Sequence, residues 1–289
     1  MEPEPLNETL QGAFLALLDD DSPPVRSALA AAFTRQGRPA VEFLQSVVRG
    51  PDRLLARHAA WFLQAMKCSD PVVEFTEFIR SLKYELETGA LLLSRTVSTD
   101  LDVGACCALL DEMAGRCREL MVEPSSPRDQ CQVISRVLFH EYGFRGNVEA
   151  YTDPRNSLLD QVLQRRKGLP LTLSIVYLLV AQRVGLTLEP IGLPGHFLVG
   201  CFLADPPFFV DAFAQGVCRT PAELLLMLKR GNVAPRISDL APTPVREVLC
   251  RCCRNLQHHY AAAQDFPRAR LFAGFVEEFE VTYERHAPS

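Results

Sequence analysis

The sequence lacks an apolar segment long enough to cross a membrane. Its longest apolar run covers residues 169–181 and is interrupted by Thr172 and Ser174, whereas a membrane-spanning helix needs about 20 apolar residues. The first five residues, MEPEP, lack the basic and apolar regions of a secretory signal. We therefore expect a cytoplasmic protein that does not bind a membrane.

The sequence also lacks an excess of positive charge. Its 30 Lys and Arg residues are outnumbered by 35 Asp and Glu residues, which leaves a net charge of -5. Proteins that bind nucleic acid through electrostatics carry a basic surface, so we do not expect such binding. Hydrophobic residues make up 48% and charged residues 22% of the 289 residues. This composition is typical of a globular protein with one large domain or two to three small ones.

Ten cysteines are present, but their pattern does not predict disulfides or a metal site. Without an export signal, adjacent pairs such as Cys252 and Cys253 indicate buried reduced thiols. Cys250 stands near them, with two histidines further along the same predicted helix. On a helix Cys250 and Cys253 share a face while Cys252 points elsewhere, so no tetrahedral ligand set forms. We predict no metal and no cofactor.

Two N-terminal segments resemble each other. The segment DSPPVRSALAAAF at residues 21–33 is followed, 31 residues later, by DRLLARHAAWFL at residues 52–63. In each, an aspartate opens the predicted helix and small alanines allow a neighbouring helix to approach closely. This pattern predicts HEAT-like helical repeats over residues 1–70, although two unrelated amphipathic helices would give a similar pattern. Repeats of this kind bind partner proteins, so we expect a protein partner.

The remaining sequence changes from helical to mixed character. Residues 71–147 have a helical pattern, and residues 148–240 contain a helix that is apolar on nearly every face, from about 171 to 184. Three strand-like runs follow at residues 187–192, 196–203 and 208–213. Residues 241–289 predict an antiparallel helical pair like a tetratricopeptide unit. A buried helix followed by an antiparallel meander predicts an α+β fold.

A histidine and an aspartate could form an oriented pair in this region. His196 begins one predicted strand and Asp211 stands in the next. In thiol hydrolases such a pair activates a cysteine at the N-terminus of a buried helix, whose dipole lowers the pKa of the thiol. Here the helix begins at Leu169-Pro170-Leu171, without a cysteine.

Five ordered blocks resemble the bacterial SirB-type family of the transglutaminase-like superfamily. They are ETGALLLSR at 87–95, FHEYGFRGN at 139–147, DPRNSLLD at 153–160, RKGLPLTLS at 166–174 and GLPGHFLV at 192–199. The resemblance covers about residues 81–283. It implies a helical N-terminal region, a papain-like or transglutaminase-like core and a tetratricopeptide-like tail.

The resemblance also assigns the candidate site. His196 matches the catalytic histidine of the superfamily, Asp211 its aspartate and Pro170 the position of its cysteine, so catalysis by the usual thiol is excluded. Thr172 or Ser174 could supply a hydroxyl nucleophile instead, or Ser174 could donate to the carbonyl four residues earlier.

Arg155 and Asn156 lie at a turn near the predicted cleft and are candidates for structural or ligand-binding groups, together with Pro170 and Thr172. The first function hypothesis is a non-catalytic interaction or regulatory protein. The alternative is a diverged hydrolase or amide-transferring enzyme that uses His196 and Asp211 with a non-cysteine nucleophile. The oligomeric state stays open.

Overall fold

The computed structural model describes residues 6–20, 22–66, 70–230, 234 and 236–286. The chain divides into two compact units, residues 1–73 and 74–289. Within the described residues, no helix has the length and apolarity needed to span a bilayer.

The first unit consists of helices. They are α1 (Glu8–Leu17), α2 (Pro23–Gln36), α3 (Arg38–Val48) and α4 (Arg53–Ala65). The carboxylate of Asp52 accepts hydrogen bonds from the N–H groups of Leu54 and Leu55 and so caps α4, as its position in the sequence predicts. The predicted helix opener Asp21 lies outside the described residues.

Aromatic side chains form the core of this unit. The ring of Phe33 in α2 lies 5.2 Å from that of Phe62 in α4 and 4.7 Å from that of Phe14 in α1. On the surface, the guanidinium of Arg26 lies 4.6 Å from the centre of the Trp61 ring. Both helices predicted from the repeated segments are therefore present, while their assignment as HEAT-like repeats stays a prediction.

The second unit combines helices with a small sheet. Its helices are α5 (Pro71–Arg80, which begins before the unit boundary), α6 (Leu86–Arg95), α7 (Val103–Leu120), α8 (Pro127–Ser135), α9 (Leu159–Arg165), α10 (Pro170–Arg183), α11 (Pro221–Arg230), α12 (Val245–Ala262) and α13 (Phe266–His286). The chain after α8 continues as a π-helical turn over Arg136–Glu141, and Pro154–Ser157 forms a 3-10 turn.

Helix α10 is the centre of this unit. Each of its residues from Pro170 to Ala181 is buried, which confirms the central helix predicted from the sequence. Tyr177 donates a hydrogen bond of 2.7 Å to the carbonyl of Cys131 in α8. After the helix ends, Gly185 adopts a positive φ of 82°, a conformation that glycine accommodates without strain.

The sheet contains the predicted antiparallel meander with one strand more. Its strands are β3 (Glu189–Leu193), β4 (His196–Cys201), β5 (Phe208–Asp211) and β6 (Val217–Arg219), hydrogen-bonded in that order. A separate pair, β1 (Arg145–Gly146) and β2 (Lys167–Gly168), is parallel. The predicted strand ends differ by up to two residues, and the sequence prediction did not include β6.

Helices cover the sheet. Leu224 and Leu228 of α11 pack in one apolar cluster with Ile191, Leu198 and Phe209 of the sheet. Helix α10 packs against β4, the strand that begins with His196. The candidate histidine therefore begins a strand that packs against the buried helix.

Helices α12 and α13 form the predicted antiparallel hairpin and pack together along their length. The rings of Tyr260 and Phe272 stack with their centres 5.6 Å apart. Phe275 meets Phe75 of α5 edge to face at 4.9 Å. This packing joins α13 to the start of the second unit, and the tetratricopeptide-like assignment stays a prediction.

Candidate functional site

Neighbouring strands bring His196 and Asp211 into contact. His196 is the first residue of β4 and Asp211 the last of β5, and these strands pair antiparallel. The Nε2 atom of His196 lies 3.1 Å from Oδ2 of Asp211. The Asp211 side chain is buried and that of His196 is 19% exposed, so one side of the imidazole meets the aspartate while the ring retains access to solvent.

Asp211 is held as an ionised carboxylate. Burial raises its pKa, but this effect is outweighed by the hydrogen bond and charge of His196, the hydrogen bond from the N–H of Ala214 (3.1 Å) and the charge of Arg219 (4.0 Å), so the pKa is lowered. An ionised Asp211 fixes the orientation of the imidazole through Nε2. The Nδ1 atom is then the ring nitrogen available to a ligand.

A cavity of about 140 Å³ adjoins His196. Its lining comes from the loop before α9, the start of α10, the β3–β4 turn and α12: Tyr151, Leu169, Pro170, Leu171, Gly195, His196, Phe197, Arg251 and Asn255. At roughly 30 Å³ per water, it has room for four or five water molecules. The described lining includes no cysteine, serine, threonine or carboxylate.

The two hydroxyl groups predicted as substitute nucleophiles do not line this cavity. The Thr172 hydroxyl donates to the carbonyl of Asn156 at 2.6 Å and accepts from the N–H of Leu169 at 3.0 Å. Ser174 is fully buried, and in the described part of the chain its hydroxyl has no hydrogen-bond partner. The expected bond from Ser174 to the carbonyl four residues earlier is therefore absent. Thr172 stabilises the start of α10 instead.

This difference between the two hydroxyl groups predicts opposite mutational effects. Thr172→Val should lower the free energy of unfolding by about 1–3 kcal/mol, because it leaves the buried Leu169 N–H and Asn156 carbonyl without this partner. Ser174→Ala removes an unpartnered buried hydroxyl, so we expect a change within about 0.5 kcal/mol or a gain in stability. Urea denaturation of both variants measures the contrast. Equal losses would show that the Ser174 hydroxyl makes a bond.

Arg155 and Asn156 belong to the framework of the loop before α9 and are also absent from the lining. Arg155 is exposed and forms an ion pair with Asp153 at 2.9 Å. Asn156 is fully buried, and its amide donates to the carbonyls of Ala150 (2.7 Å) and Tyr151 (3.2 Å). Of the four residues predicted to form the cleft, Pro170 lines the cavity, whereas Asn156 positions the Tyr151 backbone beside it.

Three polar lining residues were not predicted from the sequence: Tyr151, Arg251 and Asn255. The Nη2 atom of Arg251 donates to the carbonyls of Leu193 (2.9 Å) and His196 (3.0 Å), so α12 clamps the β3–β4 turn. Arg251 and Asn255 stand four residues apart, which places them on one face of a helix. The sequence signals this shared face through the spacing, but the spacing does not show that the face meets the cavity.

The cysteines of α12 and β4 are poor candidates for a nucleophile. Cys250, Cys252 and Cys253 are all buried in α12, and burial raises the pKa of Cys250 to about 11 and that of Cys252 to about 12. Cys201 is fully buried in β4. The described residues contain no group of three or more His, Cys, Asp or Glu side chains that could hold a metal ion.

Comparisons with known proteins identify a superfamily and several relatives. A family model described as "Transglutaminase-like superfamily" matches residues 105–254. A UPF0162 protein of Xylella fastidiosa is 34% identical over 191 residues, which cover 64% of this chain and 68% of that protein. A UPF0162 protein of Vibrio cholerae is 30% identical over 130 residues, 45% of this chain and 48% of that protein.

A eukaryotic protein also matches part of the chain. F-box only protein 21 of Mus musculus is 37% identical over 91 residues, which cover 29% of this chain and 14% of that protein. No solved structure matches.

Proposed function

Because the chain belongs to the transglutaminase-like superfamily, we propose that it is a non-catalytic member whose former catalytic cleft serves as a binding pocket. It acts as an interaction or regulatory module of the SirB type in the cytoplasm. The observation that carries the proposal is the composition of the cavity wall. Pro170 stands where the resemblance places the superfamily cysteine, and it lines the same cavity as His196.

The described lining of the cavity, which lacks a cysteine, serine or threonine side chain, supports a binding role over catalysis. Proline offers neither a thiol nor an N–H, and it suits the first turn of a helix. Thr172 is engaged in the framework and Ser174 lies outside the lining. Acyl transfer needs a nucleophile within hydrogen-bond reach of the histidine, and the cysteine, serine and threonine side chains that would serve are missing from the described lining.

Helical surfaces at both ends of the chain supply the interaction role in this proposal. The HEAT-like residues 1–70 carry exposed apolar side chains, including Leu54 and Trp61, which are 48% and 43% exposed. Exposed apolar groups on paired helices are typical of surfaces that bind protein segments. The tetratricopeptide-like residues 241–289 provide a second helical pair.

A diverged hydrolase is the alternative, and the retained pair favours it. The ionised Asp211 orients His196, and its free Nδ1 could serve as a general base toward a water molecule in the cavity. Such an enzyme would need no side-chain nucleophile. The same histidine therefore distinguishes the two functions.

The test compares the unmodified protein with His196→Ala. Hydrolysis of p-nitrophenyl acetate and coupling of a fluorescent primary amine to a glutamine-rich protein are both measured against buffer. We expect both proteins to show the same rate as buffer. General acid–base catalysis by His196 would instead raise the rate of the unmodified protein about 100-fold or more. Turnover by the unmodified protein that is lost in His196→Ala, at an unchanged melting temperature, would overturn the proposal.

A further inference from the structure

The polar groups around the His196 cavity are unbalanced in charge. Arg251 brings a guanidinium, Asn255 an amide and His196 an imidazole, while the described lining contains no carboxylate. The ionised carboxylate of Asp211 lies at the Nε2 side of the imidazole, where the N–H of Ala214 and the guanidinium of Arg219 also face it. A cavity that presents hydrogen-bond donors and no negatively charged side chain favours an anionic ligand.

Arg251 is the strongest of these groups. It is half-buried, and among the described residues no carboxylate forms an ion pair with it; its two hydrogen bonds both come from Nη2. Nε and Nη1 make no hydrogen bond to the described residues. Burial lowers the pKa of this guanidinium, in keeping with a charge that no neighbouring anion compensates.

The start of α10 adds to this field. Pro170 and Leu171 are the first two residues of a helix of 14 residues, and both line the cavity. The N-terminal end of a helix carries a partial positive charge, which favours an anion. Three independent elements, α10, the β3–β4 turn and α12, therefore present donors or positive charge to one small space.

The size of the cavity selects the anion. A volume of about 140 Å³ accommodates a planar group of a few heavy atoms with one or two waters. A guanidinium forms strong charge-assisted hydrogen bonds to carboxylate oxygens, and the amide of Asn255 can donate a further one. We propose that this cavity binds a carboxylate group between the donors of Arg251 and Asn255, beside the imidazole of His196, so that the former catalytic cleft is an acid-recognition pocket. The inference rests on the proposed function as a binding pocket.

The carboxylate could come from a free small acid or from the C-terminus of a peptide. Acetate and N-acetylglycine represent these two sources, and acetamide and N-acetylglycinamide are their neutral counterparts of the same shape. The four compounds are titrated into the full chain, and the imidazole resonances of the histidines are followed by NMR. The His196 signal is assigned from its loss in His196→Gln.

We expect both carboxylates to shift the His196 resonance in a saturable manner and both amides to bind at least about tenfold more weakly. Equal affinity for acetate and N-acetylglycine would identify a small acid as the ligand, and at least tenfold tighter binding of N-acetylglycine would identify a peptide terminus. Absence of saturation by either carboxylate, or equal affinity for acids and amides, would overturn the proposal.

Two variants test the lining directly. Arg251→Gln should weaken acetate binding at least about tenfold, but it also removes the clamp on the β3–β4 turn. Asn255→Asp keeps that clamp and places a negative charge in the cavity, so a similar loss is expected. Arg254→Gln is the matched control, because Arg254 lies on the same helix and pairs with Glu247 at 2.6 Å outside the lining. Unchanged acetate binding in Asn255→Asp would contradict the site.

The outcomes separate this inference from the proposed function. His196-dependent turnover of the ester would overturn the non-catalytic assignment, whereas the carboxylate site would still be decided by the acetate titration. If acetate does not bind and the ester is not hydrolysed, the carboxylate site is overturned and the non-catalytic assignment stands.

Discussion

Replacing Pro170 by cysteine creates a thiol that iodoacetamide alkylates at pH 6.5 at least about a hundredfold faster than the native Cys106. The new thiol stands at the N-terminal end of α10 and lines the cavity with His196. Helix N-termini and a neighbouring imidazolium lower the pKa of a cysteine from about 8.5 to roughly 4–7. The half-buried Cys106 behaves in the opposite way, because burial raises its pKa to about 11.

The measurement is the alkylation rate of each cysteine-containing peptide by mass spectrometry between pH 5.5 and 9. The double variant Pro170→Cys with His196→Ala is the control. It should move the midpoint of the rate profile upward, since the imidazolium no longer stabilises the thiolate. A midpoint near 8.5 that does not respond to His196 would show that the His196–Asp211 pair does not face residue 170.

A reactive thiol would have a specific meaning for this protein. It would show that the ionised Asp211, the oriented His196 and the positive end of α10 still form a working arrangement, from which one side chain is missing. In the proposed non-catalytic role, the lack of activity would then trace to Pro170 rather than to a change of the whole cleft.

Gly216→Ala should lower the free energy of unfolding by about 3 kcal/mol. Gly216 has a φ of +83° and donates from its N–H to the carbonyl of Asp211 at 2.8 Å, so it closes the turn that positions the aspartate. A left-handed conformation costs an L-residue about 1–2 kcal/mol. The added Cβ would also overlap the side chain of Ser135, and overpacking of this kind costs about 1–3 kcal/mol.

Gly185→Ala is the matched control for this substitution. Its φ of +82° is nearly the same, but a Cβ added there meets no described heavy atom within 4 Å. We expect a loss of about 1 kcal/mol from the backbone conformation alone. Urea denaturation gives both values from the transition midpoints at constant slope. Equal losses would show that Ser135 moves aside without cost.

The sequence by itself determined the features that depend on local pattern. An apolar run on every face predicted the buried helix α10, and alternating residues with turn signals predicted the strands that carry His196 and Asp211. The sequence also shows that a proline, Pro170, stands at the start of this helix. These signals are carried by residues within a few positions of one another, so the chain alone is sufficient to show them.

Short elements were beyond this kind of prediction. Strand β6 has three residues, Val217–Arg219, too few for a period of two to stand out. Its pairing with β5 depends on the turn through Gly216, whose N–H binds Asp211. The packing of the meander, rather than the composition of β6, decides that it forms a strand.

The tertiary structure also decided which polar groups meet in the cavity. Thr172 and Ser174 are equal candidates in the sequence. In the structure the Thr172 hydroxyl is bonded to Leu169 and Asn156, and Ser174 is enclosed in the core. Arg251 and Asn255 reach His196 from a helix about 55 residues further along the chain. Which face of α12 turns toward the cavity depends on how that helix packs against the sheet and α13, because burial of its apolar side is satisfied only by those distant partners.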